Sequence, residues 1–268
     1  MLRFAEKVVV VTGAASGIGQ ATAIKFAAEG ATVAIVDLQE EAGLQTAALI
    51  QSNGGGKAAF YKADVSDDLQ VEVLMRGIIE DYGTVHVLVN NAAMLMTKTV
   101  ENTTSAEWDR IFRVNTKSVF LCSKYALPEL KKNNGRIVNM ASLNGQIGQK
   151  GNTAYAASKG AIIAMTKAMA VDYAHCGVRI NCVCPAGVAT PLLDQWFASM
   201  DDPLKGRADQ ERSHLLGYIA SPQEIADTIL FLASKQSGFI TGQSICVDGG
   251  ASLGYGAGPK AEWDSTSL

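Results

Sequence analysis

The sequence predicts an α/β fold, a parallel sheet of seven strands doubly wound with helices on both faces, in a single unit spanning the 268 residues. Three observations carry this. Short β-branched apolar runs alternate with longer helix-period segments along the whole chain. The first run, Lys7 to Thr12, holds four consecutive valines, the composition of a strand buried on both faces. A glycine cluster follows that run directly, where strand gives way to helix.

The elements follow in order. Thr12-Gly13-Ala-Ala-Ser16-Gly17-Ile18-Gly19 leads into a helix through Glu29, with Gly30 as its C-terminal stop. Thr32 to Val36 is the second strand and ends at Asp37. Strand, glycine turn, helix, strand and acid together make a mononucleotide-binding βαβ unit of the Rossmann type. Gln39 to Asn53 reads as a helix closed by Gly54-Gly55-Gly56. Lys57 to Lys62 reads as a strand ending near Asp64, and Asp67 to Tyr82 as a helix stopped by Gly83. His86 to Asn90 is the fourth strand. A long helix starts at Thr104 or Ser105 and continues past Asn115 towards Leu130. Gly135 to Met140 is strand five, Thr153 to His175 a helix stopped by Gly177, and Val178 to Cys184 strand six. From Pro185 to about Ser221 the pattern is irregular. Pro222 to Ser234 is the last helix and Ser244 to Val247 the last strand.

Composition narrows the function classes. Apolar residues make up 48% of the chain and charged residues 18%, enough for a buried core and against disorder. The net charge of −3, with no basic block, argues against nucleic acid or an anionic membrane as the main partner. Cys122, Cys176, Cys182, Cys184 and Cys246 are scattered and form no CxxC pair, so no metal site is expected. Cys182 and Cys184 share a strand face and read as buried apolar filler. The N-terminus shows no signal-peptide pattern, and no apolar run approaches the roughly 18 residues of a membrane span. A soluble, cytoplasmic protein is expected.

Ligands bind such sheets at the carboxyl ends of the strands. Thr12, Gly13, Asp37, Asp64, Asn90, Ser142 and Pro185 all fall at or just past predicted strand ends, so they converge on one edge. Tyr155 and Lys159, four residues apart, share one face of a helix. An ammonium beside a phenol favours the phenolate and is expected to lower the tyrosine pKa from about 10. Such a tyrosine can exchange a proton with a substrate oxygen near neutral pH, and Ser142 can hydrogen-bond the same oxygen. Taken alone, Tyr-x-x-x-Lys on a helix is common and its ordinary reading is a solvated pair. Asn115 is a poor helix former inside an apolar helix, so it has either a chemical task or a kinked backbone to satisfy.

Over essentially the whole chain these residues resemble the short-chain dehydrogenase/reductase family. Thr12-Gly13-x-x-x-Gly17-x-Gly19 matches its cofactor loop, Asn90-Asn91-Ala92 its strand-four motif and Asn115 its helix asparagine. Ser142, Tyr155 and Lys159 match its catalytic residues, and Asn181 to Pro185 with Thr190-Pro191 match the segment after strand six. Two departures stand out. Ala93 replaces the usual glycine of the strand-four motif, and Pro185-Ala186-Gly187 delays the usual glycine by one place, which re-aims the loop beside the nicotinamide.

The resemblance implies a nicotinamide cofactor held by Gly13, Ser16, Gly17, Ile18, Gly19, Asn91, Ala92 and Ala93, and by Pro185, Gly187, Val188 and Thr190. Tyr155 and Lys159 complete the set, with Asp64 and Val65 at the adenine; the alternative for Asp64 is a helix-capping aspartate. Asp37 accepts from the ribose hydroxyls and repels a 2′-phosphate, while Ser16 and Leu38 stand where an NADP-binding relative offers a base. NAD is therefore expected. The implied chemistry is hydride transfer, with Tyr155 as base, Ser142 holding the substrate oxygen, Lys159 tuning Tyr155 and binding ribose, and Asn115 holding a relay water.

Substrate contacts are expected from Met94, Ser142, Asn144, Gln149, Lys150, Tyr155 and Trp196. A lid is expected over about 188–218, its basic Lys205, Arg207, Arg212 and His214 available to an anionic group, with an ordinary amphipathic surface segment as the alternative. A C-terminal tail is expected from about 256. Ser142-Leu-Asn-Gly-Gln-Ile-Gly-Gln and the closing Gly249-Gly250 segment are similar to the L-fucose dehydrogenase and type 14 17β-hydroxysteroid dehydrogenase subgroup. That likeness suggests a sugar oxidised at C1 to a lactone. The alternatives are another secondary, cyclic or steroid alcohol, reduction of a 3-oxoacyl thioester, or a catalytically silent NAD-sensing scaffold. The family implies a homodimer or homotetramer.

Overall fold

The computed structural model describes residues 2–52 and 56–253; the tail expected from about 256 lies outside them. Seven strands form one sheet: β1 (Val8–Thr12), β2 (Thr32–Asp37), β3 (Lys57–Lys62), β4 (Val87–Asn90), β5 (Arg136–Met140), β6 (Arg179–Pro185) and β7 (Ser244–Val247). Their order is β3-β2-β1-β4-β5-β6-β7 and every neighbouring pair is parallel. The helices are α1 (Gly17–Ala28), α2 (Glu40–Ser52), α3 (Asp68–Tyr82), α4 (Ser105–Phe112) and α5 (Ser118–Lys132). They continue with α6 (Thr153–Tyr173), α7 (Pro191–Ala198), α8 (Pro203–Arg212) and α9 (Pro222–Ala233).

The valine run works as its composition demands. Every residue of β1 is buried. Val9 and Val11 pack with Phe26, Ile50 and Ile229 of α1, α2 and α9, while Val8 and Val10 pack with Leu74, Leu121 and Ala170 of α3, α5 and α6. Alternate side chains thus feed two apolar layers, and each fully buried large side chain, such as Phe26, contributes about 1.5–3 kcal/mol. Among the described residues no helix is long and apolar enough to cross a membrane.

Two expectations are corrected. The single long helix from Thr104 is divided by a π-helical turn, Arg113–Lys117, between α4 and α5. Its cause is Asn115, which is fully buried and bonded to Met94 and Ser158. The irregular stretch after Pro185 contains α7 and α8, each begun by a proline and capped by Thr190 or Asp202. Periodicity missed them because α8 buries no residue and α7 buries only Phe197.

Candidate active site

At the carboxyl edge of the sheet, where the strand order reverses between β1 and β4, the chain forms a cleft of about 1180 Å³. Asn91 clamps this switch point. Its Nδ2 donates to the carbonyls of Thr12 and Gly13, both at 3.0 Å, while Thr12 Oγ1 accepts from the N–H groups of Asn91 and Ala92. Gly13 and Gly17 both have positive φ, which glycine adopts without strain. A Cβ on Gly13 would fall 2.8 Å from Ala92 Cα, and one on Gly17 3.1 Å from the Thr190 side chain. The loop is therefore a cradle that side chains would fill. Ser16 leads into α1 without a side-chain cap, so the first-turn N–H groups stay available to an anion. Ser16, Gly17 and Ile18 line the cleft; Gly19 does not. A Cβ there would meet Gly13 O at 2.1 Å, so Gly19 serves packing of α1 against the loop.

Asp37 stands at the end of β2, its two carboxylate oxygens accepting from Ala15 N and Gln39 N at 3.0 Å each. Each oxygen keeps a lone pair for a ligand hydroxyl. Leu38, 60% exposed, lines the cleft beside it. Lys62 is opposite Asp37 in register, but it is engaged by Glu40 at 2.8 Å and is not part of the cleft wall. Asp64 is not the cap of α3; Asp67 is, accepting from Gln70 N. Asp64 instead holds Ser66 through Oδ1 alone and lines the cleft with Val65. Anion cradle, two carboxylates and the size of the cleft fit a dinucleotide.

The chemical end is built on β5 and α6. Ser142 follows β5, and its Oγ accepts from Asn144 N at 3.2 Å. That leaves the hydroxyl hydrogen for the Tyr155 oxygen, where it favours the phenolate. A Cβ on Gly145 would meet the Lys159 backbone at 2.8 Å, so a glycine sets the spacing of Ser142 from α6. Lys159, 1% exposed, donates from Nζ to Met140 O at 2.8 Å, with Nζ 5.7 Å from the Tyr155 ring centre. Burial pushes Lys159 down to about 8, opposed by the nearby Cys184 and Cys182. The expected downward shift of Tyr155 is corrected for the free protein. Burial raises its pKa, and the Ser142 hydroxyl only partly offsets this. The desolvation of the phenolate outweighs an ammonium that is itself drawn towards Met140.

Asn115 lies behind the cleft wall. Its Oδ1 accepts from Met94 N at 2.8 Å, and its Nδ2 donates to Met94 O at 3.0 Å and Ser158 Oγ at 3.1 Å. Both donors are used, and the residue is fully buried. Ser158, absent from the sequence reading, also donates to Tyr155 O at 2.7 Å and so ties Asn115 to the Tyr155 backbone.

Ala93, Met94, Asn144, Gln149, Pro185, Gly187, Val188, Thr190 and Trp196 all line the cleft. Lys150, expected there, does not; it is exposed in the turn before α6. None of the basic residues expected of the 188–218 segment, Lys205, Arg207, Arg212 and His214, lines the cleft. Lys205 pairs with Asp209, and Arg207 lies 3.4 Å from Glu211 and 3.8 Å from Asp194. His214 is buried, and its Nε2 accepts from Gly187 N at 3.2 Å. Gly187 thus anchors the loop through its own N–H. Arg110 and Arg113 of α4 and the π-turn line the cleft and escaped the sequence reading, because an exposed arginine on a helix carries no distinguishing pattern.

Comparison with known proteins decides the affiliation. A family profile described as enoyl-(acyl carrier protein) reductase matches residues 13–252. Meso-2,3-butanediol dehydrogenase of Serratia marcescens is 42% identical over 255 residues, covering 95% of this chain and 98% of that enzyme. The chain belongs to the short-chain dehydrogenase/reductase family. Its structure is similar to that of levodione reductase, with a TM-score of 0.91 and 31% identity, covering 94% of this chain and all of that one. The ligand-free aldohexose dehydrogenase AldT of Thermoplasma acidophilum matches with a TM-score of 0.85 and 35% identity, over 96% of this chain and 97% of that one. As a short-chain dehydrogenase/reductase, this protein is an oxidoreductase of CH–OH groups that uses a nicotinamide cofactor.

Proposed function

We propose that this short-chain dehydrogenase uses NAD to remove hydride from a hydroxyl-bearing carbon of a small polyhydroxylated substrate, foremost an aldose oxidised at C1 to its lactone. The observation that carries the substrate reading is the bonded amide pair Asn144 and Gln149, which lines the cleft beside Ser142 and Tyr155. Met94, Leu95, Trp196 and Met200 supply apolar wall to the same cleft. An amide wall and an apolar wall suit a ring with hydroxyl edges and C–H faces. The Thermoplasma relative is named for an aldohexose, which supports this reading. The Serratia relative is named for a diol, which favours a second one, oxidation of a secondary alcohol next to another hydroxyl.

The roles divide along the cleft. Backbone N–H groups of Ser16, Gly17 and Ile18, with Gly13 giving room, hold the pyrophosphate, Asp37 accepts from the adenosine ribose, and Asp64 with Val65 holds the adenine. Asn91, Ala92 and Ala93, with Pro185, Gly187, Val188 and Thr190, form the walls around the nicotinamide half. Nicotinamide, when bound, supplies the hydride acceptor and a positive ring. Ser142 donates to the reacting oxygen and Tyr155 takes its proton. Lys159 has two further N–H donors, one for the nicotinamide ribose, and its ammonium stabilises the Tyr155 phenolate as it forms. Asn115 holds the π-turn and with it the water that relays the proton towards solvent. The 188–218 segment closes over substrate through α7 and α8.

NAD is favoured because Asp37 is held rigidly where a 2′-phosphate would lie, beside Ser16, Leu38 and Gln39, none of them basic. For assembly we favour a homodimer or homotetramer, since Phe120 of α5 and Val171 of α6 expose apolar surface. The test is an NADH-release screen over aldoses, sugar acids, diols, cyclic alcohols and hydroxysteroids, repeated with NADP. Turnover of polyhydroxylated substrates with NAD is expected. Equal kcat/KM with both cofactors refutes the NAD assignment. Tight NAD binding with no turnover anywhere favours the silent scaffold.

A further inference from the structure

The residue at the start of the catalytic helix behaves unlike a cap. Asn152 occupies the N-cap position of α6, where an asparagine ordinarily accepts a backbone N–H and contributes about 1 kcal/mol. Here it makes no such bond. Its Nδ2 donates to Gln149 Oε1 at 2.8 Å and lies 3.5 Å from Lys150 O, so both acceptors are on the amino side and the amide orientation is determined. Gln149 Oε1 also receives Nδ2 of Asn144, which braces all three amides. Oδ1 of Asn152 is left with no partner, in a residue only 2% exposed. A buried, unpaired carbonyl costs about 1–3 kcal/mol. The chain forgoes a cap and leaves an acceptor empty at the same atom.

That atom belongs to a residue of the cleft wall, one helical turn ahead of Tyr155. Side chains three apart on a helix are neighbours, about 5–6 Å between Cβ atoms. A substrate whose reacting oxygen is held by Tyr155 and Ser142 therefore brings its adjoining carbons to Asn152. Only a donor satisfies a carbonyl oxygen, which excludes a neighbouring ketone, carboxylate or C–H. Oδ1 is sealed in the ligand-free chain, so a substrate reaches it as the exposed Gln149 side chain swings aside; a Cβ on Gly148 or Gly151 would meet nothing within 4 Å, which gives this turn room to do so.

We propose that Asn152 is a specificity-determining residue whose Oδ1 accepts a hydrogen bond from a second substrate hydroxyl, on the carbon beside the one oxidised. This rests on the reading of Ser142 and Tyr155 as the holders of the reacting oxygen. It makes vicinal diols and sugars preferred over the corresponding mono-alcohols.

The test compares kcat/KM for cis-cyclohexane-1,2-diol against cyclohexanol, and for an aldohexose against its 2-deoxy analogue, in wild type, Asn152→Ala and Asn152→Ser. Serine restores a good N-cap, so α6 keeps its start in that variant. Wild type is expected to prefer the second hydroxyl by about 10- to 100-fold, the worth of one buried hydrogen bond. Asn152→Ser is expected to erase most of that ratio by lowering the hydroxylated partner, the other falling by less than about threefold. Equal losses on both members of each pair, or no preference in the wild type, overturn the assignment of Asn152 and leave the dehydrogenase reading intact. Failure of the wild type to oxidise any member of either pair while binding NAD overturns that reading and the assignment together.

Discussion

His214 sets a pH limit that can be worked out from the structure. Its imidazole is 2% exposed, and Nε2 accepts the N–H of Gly187, in the wall of the cleft. Accepting through Nε2 places the ring's hydrogen on Nδ1, so the ring is neutral. The same short segment is held on Ala220, which accepts Ala189 N at 2.8 Å and donates to Gly187 O at 3.2 Å. Protonation would set an N–H against an N–H and leave the Gly187 donor buried and unpaired, at a cost of about 1–3 kcal/mol. Burial pushes the pKa of His214 below 6.5; the nearby main chain of Gln210 and Glu211 and the charge of Asp248 oppose it without reversing the direction. The folded protein therefore resists a proton that the unfolded chain accepts. Stability from this group is complete above about pH 6.5 and is lost as pH falls through the folded pKa, by up to about 1.4 kcal/mol per pH unit. His86 is displaced in the same direction by burial and adds a parallel loss.

His214→Gln keeps a carbonyl acceptor but cannot titrate, whereas His214→Ala removes the acceptor. Thermal melts between about pH 5 and 7.5 should show the acid slope of the wild type reduced in His214→Gln to the share of His86. His214→Ala should lose about 1–3 kcal/mol at every pH and bind NAD about tenfold more weakly, because Gly187 is no longer pinned. Cofactor titration by quenching of protein fluorescence reads the second effect. Superimposable pH–stability curves for wild type and His214→Gln would refute the reasoning.

Tyr155→Phe should lower kcat by at least about 100-fold with NAD affinity unchanged, read by steady-state kinetics and cofactor titration; substantial residual turnover removes Tyr155 as the base. Asp37→Ser should narrow the NAD-over-NADP ratio of kcat/KM by about tenfold or more, since a like-charge contact is lost. Gly145→Ala should destabilise the protein by about 1–3 kcal/mol and depress kcat more than NAD affinity, because its Cβ at 2.8 Å from the Lys159 backbone pushes Ser142 away from α6. Gly77→Ala, in a helix with open space around the position, should raise stability by about 0.5–1 kcal/mol with activity unchanged.

Residues whose task is local could be read directly. The four valines of β1, the glycine cradle with Asp37 behind it, and the Tyr155–Lys159 turn are patterns in which one residue dictates its neighbour's environment. The alternation of runs also determined the parallel sheet, and with it the edge on which Asp37, Asp64 and Ser142 meet. Tertiary structure decided what depends on contacts distant along the chain. Asn115 looked like a helical anomaly until Met94 and Ser158 closed on its amide, and the π-turn follows from that. His214 looked like a lid cation until Gly187 donated to it, and Lys150 like a substrate contact until the turn before α6 carried it outside. The direction of the Tyr155 shift was decided the same way. Sequence spacing brings an ammonium beside the phenol, but only the fold sets how much water both have lost, and desolvation there outweighs the charge.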